Sequence, residues 1–175
     1  LLDAMTLEQK LLQMAMNPHD NNEHGLEDCD YTRIGRHLEG IPELGIPLIR
    51  MTNGPSGVGG GDCAVDPTAT ALPSGIGVAS SFNAENSYRW GDIGGFETRA
   101  GAHNVFLAPG INLARVPQAG RNFEYFGEDP YLTGVMGTAQ VIGIQENNVH
   151  ANPKHFAFNE QETGRRTMDT VVPPR

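Results

Sequence analysis

Three clusters of polar residues have side chains that could bind and orient a hydroxyl-rich ligand. They are Arg-Met-Thr-Asn-Gly-Pro at 50–55, Gly-Arg-Asn-Phe-Glu-Tyr-Phe-Gly-Glu-Asp-Pro at 120–130, and 154–166, which begins Lys-His-Phe and ends Gly-Arg-Arg. Together they supply charged donors, carboxylate acceptors and aromatic faces. Sugars require such a mixture because each hydroxyl needs a polar partner, and a site built for hydroxyls rejects analogues that lack them. The clusters are therefore typical of a site that binds sugar hydroxyls.

Each cluster taken singly also has a purely structural interpretation. Arg121 can form an ion pair with Glu124 or Glu128, and Lys154 and His155 can be an exposed lysine beside a core histidine. Neighbouring side chains on a regular strand point to opposite faces of the sheet. Lys154 and His155 can therefore reach one ligand only if their strand ends or bulges there.

Turn signals and hydrophobic periodicity predict helices that alternate with strands. The predicted elements are a helix opened by the capping box Thr6–Gln9 and stopped at 17–18, a strand over 46–51, a helix over 83–103, a strand over 105–108, a helix over 130–148 and a strand within 149–158. Residues 19–40 are predicted to be irregular, and 56–77 and 110–129 to form long loops. Loops of that length in a compact domain are more often functional than idle.

This alternation predicts an α/β fold with parallel βαβ units. Either a (β/α) barrel or a doubly wound open sheet fits the pattern. In a barrel, the loops that follow the strands carry the active site, which is where the three polar clusters lie. No predicted strand runs into the glycine-rich turn and distant acid of a dinucleotide-binding unit.

Composition limits the partners that the chain can bind. Its 175 residues suit one domain or most of one, and a formal net charge of −9 argues against nucleic acid. No apolar run approaches the roughly 18 residues of a membrane helix. The histidines show no metal-binding spacing, so no metal is expected. Cys29 and Cys63 allow either a disulfide or two free thiols.

The ordered set of motifs resembles glycoside hydrolase family 3, in its β-glucosidase branch. The matching segments are 5–10 (Met-Thr-Leu-Glu-Gln-Lys), 45–48 (Gly-Ile-Pro-Leu), 53–57 (Asn-Gly-Pro-Ser-Gly), 71–73 (Ala-Leu-Pro), 108–115 (Ala-Pro-Gly-Ile-Asn-Leu-Ala-Arg), 120–132 and 154–165. The resemblance implies that residues 1–175 are the N-terminal portion of a (β/α)8 TIM-like catalytic barrel, which can be irregular in this family.

The resemblance also implies roles for individual residues. Arg121, Lys154, His155 and Arg165 would hydrogen-bond the hydroxyls of the sugar in the −1 subsite. Asn53 stands where most members have an aspartate that binds the same sugar, which leaves the exact sugar preference open. A retaining mechanism needs an Asp nucleophile and a Glu acid about 5 Å apart. The family places both further along, so no catalytic residue is expected in this chain, which is expected to be a fragment and inactive alone.

The expected substrate is a β-glucoside or short β-glucan, and no cofactor is implied. The remainder of the enzyme is the expected protein partner, a homodimer stays open, and a secreted or periplasmic location is favoured over the cytoplasm. β-Xylosidase or arabinosidase activity and a non-catalytic sugar-binding fragment are the alternatives. The β-N-acetylglucosaminidase branch fits less well, because it continues Lys-His-Phe with Pro-Gly-His-Gly where this chain has Ala-Phe-Asn-Glu.

Overall fold

A computed structural model of the chain describes residues 1–14, 37–38, 40–59 and 68–173. In that part the helices are α1 Leu7–Leu12, α2 Gly75–Ala79, α3 Ala84–Ala100 and α4 Pro130–Gln145. The strands are β1 His37–Leu38, β2 Ile49–Asn53, β3 Val105–Leu107 and β4 His150–Ala151, and short 3-10 turns lie at Leu2–Ala4, Pro42–Leu44 and Asn122–Glu124. Cys29 and Cys63 lie outside the described residues.

The four strands form one sheet in the order β1-β2-β3-β4. β2, β3 and β4 are parallel, and β1 adds to β2 in the antiparallel direction. The predicted parallel βαβ units are thus confirmed. Because the parallel strands run the same way, Asn53, Leu107 and Ala151 bring their three carboxyl ends to one edge of the sheet.

The predicted helix starts are confirmed because they depend on local hydrogen bonds. Thr6 and Gln9 form a reciprocal capping box on α1. The Asn83 side chain accepts from the Glu85 backbone N–H at the start of α3. Asp129 caps α4, and a proline occupies the first helical position, where its missing N–H costs nothing.

A layer of apolar side chains between the helices and the sheet forms the core. Phe106 of β3 is fully buried and stacks on Trp90 of α3 at a ring separation of 6.0 Å. Met136 and Ile144 of α4 fill the same cluster. Burial of such side chains contributes about 1.5–3 kcal/mol each to folding, so this layer fixes the positions of the strand ends.

Helices α3 and α4 contact each other through glycines. A Cβ added at Gly91 would lie 2.2 Å from the backbone oxygen of Gln140, and one at Gly143 would lie 2.2 Å from that of Tyr88. Both crossover helices therefore cover the same face of a sheet whose parallel strands follow sequence order. A doubly wound sheet reverses its strand order and covers both faces, so the arrangement is that of a barrel segment.

Two local predictions were wrong. The loop predicted over 56–77 ends in α2, where Ser74 accepts from the Gly77 backbone N–H. Two glycines within Gly75–Ala79 hid this helix, because glycine has low intrinsic helix propensity. In the segment predicted to be irregular, His37 and Leu38 form β1, which is too short to show a period of two. Pairing with β2 stabilises it, and sequence patterns do not record such long-range pairing.

Candidate functional site

Asn53 and Lys154 meet at the carboxyl edge of the sheet. Asn53 is the last residue of β2, and the Lys154 ammonium donates to its Oδ1 at 2.6 Å although 101 residues separate the two. Lys154 is held by its backbone, which donates to the Pro109 oxygen at 2.9 Å and accepts from the Ile111 N–H at 2.7 Å. The end of β2 and the segment after β3 therefore both contact Lys154, the first through its ammonium group and the second through its backbone.

His155 is placed beside Lys154 because the strand has already ended. β4 stops at Ala151, so the alternation of a regular strand does not apply to the next residues. Lys154 and His155 could reach one ligand only if their strand ended or bulged there, and the end of β4 meets that requirement. The Lys154–His155 peptide bond is cis.

Asn112 contacts both the backbone and the ring of His155. The Asn112 Oδ1 accepts from the His155 backbone N–H at 2.6 Å, which identifies that atom as the oxygen, and it lies 3.2 Å from the His155 Nδ1. A carbonyl oxygen can only accept, so this contact favours the tautomer with the proton on Nδ1, in which Nε2 is the acceptor. The Tyr125 hydroxyl lies 3.3 Å from the same Nδ1, and its ring meets the imidazole edge-on.

The His155 imidazole is neutral at physiological pH. Burial, followed by the positive charges of Arg121 and Lys154, lowers its pKa from 6.5 to about 4. Both cations act on the imidazole, so the three side chains belong to one cluster. A neutral imidazole beside two cations can accept a hydrogen bond from a ligand hydroxyl without adding a third positive charge.

Arg121 is anchored by two carboxylates. Its Nε and Nη2 donate to the two oxygens of Glu124 at 3.1 and 2.8 Å, and its Nη1 donates to Glu162 at 3.2 Å. Hydrogen bonding to Glu124 raises the guanidinium pKa above its ordinary value. The structure thus selects Glu124 over Glu128 as the ion-pair partner, and the bidentate geometry fixes the plane of the guanidinium.

Arg165 joins the cluster through the same carboxylate. Glu162 accepts from Arg165 Nη1 at 3.0 Å, from Asn159 Nδ2 at 3.0 Å and from Arg121. The hydrogen bond from Asn159 is the largest of the effects that lower its pKa to about 2, and those from Arg165 and Arg121 add to it. Glu162 is therefore an anion throughout the neutral range and links the two arginines.

A cleft of mixed polar and apolar lining adjoins Asn53 and Glu124. It has a volume of about 360 Å³ and is lined by the turn over 53–59, residues 69–71, Phe123 and Glu124. The hydrogen bonds and charge interactions described above link all five residues that the sequence singled out, namely Asn53, Arg121, Lys154, His155 and Arg165. Arg165 is the most exposed of them, and its contact with the rest is indirect.

Sequence reasoning assigned no role to Asn112 or Tyr125, although both contact His155 directly. Asn112 is nine-tenths buried and Tyr125 is almost fully buried. Both lie in the loop that follows β3, at the edge where the site forms. Both residues follow a predicted parallel strand, and this position could have identified them as site residues. Polar side chains in the loops after neighbouring parallel strands lie close together at the same edge of the sheet.

Two further findings concern metals and membranes. Within residues 1–14, 37–38, 40–59 and 68–173, no group of histidine, cysteine or acidic side chains is arranged to hold a metal ion. In the same part of the chain, no helix has the length and apolarity needed to cross a membrane.

Known proteins are similar to this chain in both sequence and structure. Residues 5–173 match the sequence model of the glycosyl hydrolase family 3 N terminal domain. The chain is 41% identical over 146 residues to thermostable beta-glucosidase B of Acetivibrio thermocellus, covering 79% of this chain and 19% of that protein. Beta-glucosidase A of Butyrivibrio fibrisolvens is 40% identical over 135 residues, with 77% of this chain and 16% of that protein covered.

Solved structures give the same result in three dimensions. Beta-glucosidase 3B from Thermotoga neapolitana in complex with glucose superposes with a TM-score of 0.75 at 33% identity, covering 92% of this chain and 23% of that one. Beta-glucosidase from Kluyveromyces marxianus in complex with glucose has a TM-score of 0.77 at 30% identity, with 92% and 17% covered. The chain thus spans less than a quarter of the length of these relatives.

Proposed function

The chain belongs to glycosyl hydrolase family 3, and from that premise we propose that it is part of a longer retaining glycoside hydrolase that releases terminal β-linked glucose from β-glucosides. In this proposal Asn53, Arg121, Lys154, His155 and Arg165 supply most of the contacts to the sugar in the −1 subsite. The nucleophile and the general acid come from the part of the enzyme outside this chain.

The convergence of Lys154, His155 and Arg121 at the carboxyl edge of the sheet is the observation that carries the proposal. Two fixed cations and one neutral imidazole form a half-buried group of hydrogen-bonding side chains. Cationic donors can bind hydroxyl oxygens, and the imidazole Nε2 can accept from a hydroxyl. The names of the relatives, which are β-glucosidases, support β-linked glucose as the substrate.

These side chains bind and orient the sugar rather than break the bond. Hydrogen bonds from charged donors are worth about 1.5–3 kcal/mol each. Holding the sugar against a nucleophile lowers the entropic part of the barrier. The covalent glycosyl-enzyme step needs two carboxyl groups about 5 Å apart, and the proposal assigns both to the remainder of the enzyme.

An apolar groove along α4 supports the remainder of the enzyme as the protein partner. The groove has a volume of about 470 Å³ and its lining includes Ile111, Val141 and Pro153. Ile111 and Ile142, which also line it, are 40% and 47% exposed. We propose that the following part of the barrel covers this groove; a second copy of the chain, in a homodimer, is the alternative occupant.

A secreted or periplasmic location of the protein stays a prediction.

Asn53 favours a second candidate activity within the same family. The Lys154 ammonium donates to a neutral amide oxygen where most members are expected to present a carboxylate. A neutral partner accepts sugar hydroxyls less strongly than an anion. A neutral residue at this position leaves the sugar preference open, so cleavage of β-xylosides or arabinosides by the complete enzyme is the alternative; a non-catalytic sugar-binding fragment is the third.

The test is hydrolysis of aryl β-glucoside by the full-length enzyme, followed by NMR of the first product. We expect release of the β-anomer of glucose, as retention requires. The 175-residue chain alone should be inactive, because removing the nucleophile removes the covalent route. Turnover by the isolated chain would contradict the assignment of the nucleophile, and a preference for xyloside or arabinoside would favour the alternative.

A further inference from the structure

The Glu162 carboxylate lies between the two arginines of the site. Its Oε1 accepts from Arg121 at 3.2 Å and from Asn159 at 3.0 Å, and its Oε2 accepts from Arg165 at 3.0 Å. The side chain of Glu162 is only 22% exposed. Three donors thus occupy most of the acceptor positions of one half-buried carboxylate, which leaves it little capacity to bind a ligand itself.

The two arginines depend on this carboxylate to different degrees. Glu124 already holds Arg121 through Nε and Nη2, so Glu162 adds a third fixed point at Nη1. Arg165 is 57% exposed, and within the described residues Glu162 is the side chain that it is found to contact. An exposed arginine samples many rotamers, so an anchor that restricts Arg165 would favour a single orientation for binding a ligand.

Glu162 is itself fixed to the loop that carries Arg121. Its backbone N–H donates to the Ala119 oxygen at 3.1 Å. Gly120 has a φ of +86°, a conformation that favours glycine, and a Cβ there would lie 3.7 Å from the Glu162 Cβ. Glu162 therefore joins the loop after β3 to the loop after β4 by both backbone and side chain.

From these contacts we propose that Glu162 is a positioning residue, which orients Arg121 and Arg165 so that their remaining N–H groups face the sugar hydroxyls. The inference rests on the proposed function, because it requires that the arginines bind a sugar. A purely structural ion pair would stabilise the two loops without affecting which hydroxyls the site recognises. The two roles differ in their effect on substrate discrimination.

The experiment compares Glu162→Gln with wild type in the full-length enzyme. The substrates are an aryl β-glucoside and its four monodeoxy analogues, and kcat/KM is measured for each. We expect Glu162→Gln to lower kcat/KM on the parent glucoside by about 10- to 100-fold, since charge-assisted bonds are lost. In wild type, removing one particular hydroxyl should lower kcat/KM. We expect this loss to be several-fold smaller in Glu162→Gln. Arg121→Lys or Arg165→Ala should reduce the loss at the same hydroxyl.

Glu160→Gln is the matched control. Glu160 lies two residues away on the same loop and pairs with Arg115, which is 62% exposed, at 3.1 Å. It should keep kcat/KM within about twofold of wild type, as surface ion pairs contribute little. Glu162→Asp retains the charge on a shorter side chain and should show an intermediate loss. If Glu162→Gln does not fold, the deoxy-substrate comparison is made with Glu162→Asp.

An unchanged kcat/KM in the Glu162 variant would overturn the inference. An equal loss on all five substrates would also overturn it, because a structural defect reduces activity without changing discrimination. A wild-type enzyme without activity on the parent β-glucoside would instead contradict the proposed function itself. The two failures are thus separated by the wild-type measurement.

Discussion

The helix-and-sheet layer and the polar loops at its edge are held together by different forces. In the layer, apolar rings and methyl groups pack without solvent, and α3 and α4 approach so closely that glycine backbone meets carbonyl oxygen. In the loops, an ion-pair network and amide hydrogen bonds fix polar side chains, most of which stay partly exposed. Packing therefore determines where the strands end, and electrostatics determines which donors point outward there. Substitutions in the two regions should have separable effects.

Breaking the helical layer should have the largest effect on stability. In Gly91→Ala the new methyl group would lie 2.2 Å from the Gln140 backbone oxygen. Because the methyl group would meet the backbone of a second helix, we expect the free energy of unfolding to fall by about 3 kcal/mol. The melting temperature of the full-length enzyme should then be several degrees lower. The kcat/KM of the folded fraction should stay near wild type.

Asn86→Ala on the exposed side of α3 is the control and should change the free energy of unfolding by no more than about 0.5 kcal/mol. An unaltered melting temperature for Gly91→Ala would show that the helices can separate without cost. The close contact would then not be what fixes the strand ends.

Breaking the loop cluster should affect catalysis instead. Lys154→Ala, His155→Ala, Arg121→Ala and Arg165→Ala should each lower kcat/KM on aryl β-glucoside by about 10²-fold or more, since a charged hydrogen bond contributes ~1.5–3 kcal/mol. Melting temperatures should fall less than in Gly91→Ala, because none of the four side chains belongs to the apolar core. Arg115→Ala serves as the matched control. Four variants with near-normal kinetics would show that these residues do not bind the sugar.

A smaller and more specific effect is expected at Asn53. Asn53→Asp keeps the shape of the side chain and converts its 2.6 Å contact with Lys154 into an ion pair. The new carboxylate could also accept from sugar hydroxyls, and charge-assisted hydrogen bonds are about twice as strong as neutral ones. We therefore expect tighter sugar binding, by about fivefold in KM, and an altered ranking of aryl glucoside, xyloside and galactoside. Identical ranking and KM values would show that this residue serves only the turn.

The smallest expected effect is the response of His155 to acid. Its pKa in the folded chain is about 4, below the ordinary 6.5, so the unfolded state binds more protons between these values. The stabilising contribution is complete above pH 6.5 and is lost as pH falls toward 4. The melting temperature of wild type should therefore fall more than that of His155→Gln between pH 7.5 and 4.5. A constant difference between the two proteins would contradict an imidazole that is half-buried and neutral in the folded chain.

The features that could be predicted from the sequence are those that depend on neighbouring residues or on family motifs. Capping by Asn83 and Asp129 depends on neighbours in the chain, so the starts of α3 and α4 were correct. The five proposed sugar contacts came from the resemblance, and the fold brings them together. The contact of Asn112 with His155 joins loops 43 residues apart and has no local signature. Likewise, β1 forms only because β2 is available to pair with it.

Crystallography of the full-length enzyme with bound glucose tests the central claim most directly. The claim is that the polar loops at the carboxyl edge of the sheet form the −1 subsite. We predict sugar oxygens at hydrogen-bond distances of about 2.7–3.2 Å from Lys154 Nζ, His155 Nε2 and the Arg121 guanidinium. Glucose bound elsewhere, with these three groups making the same contacts as in its absence, would contradict the account.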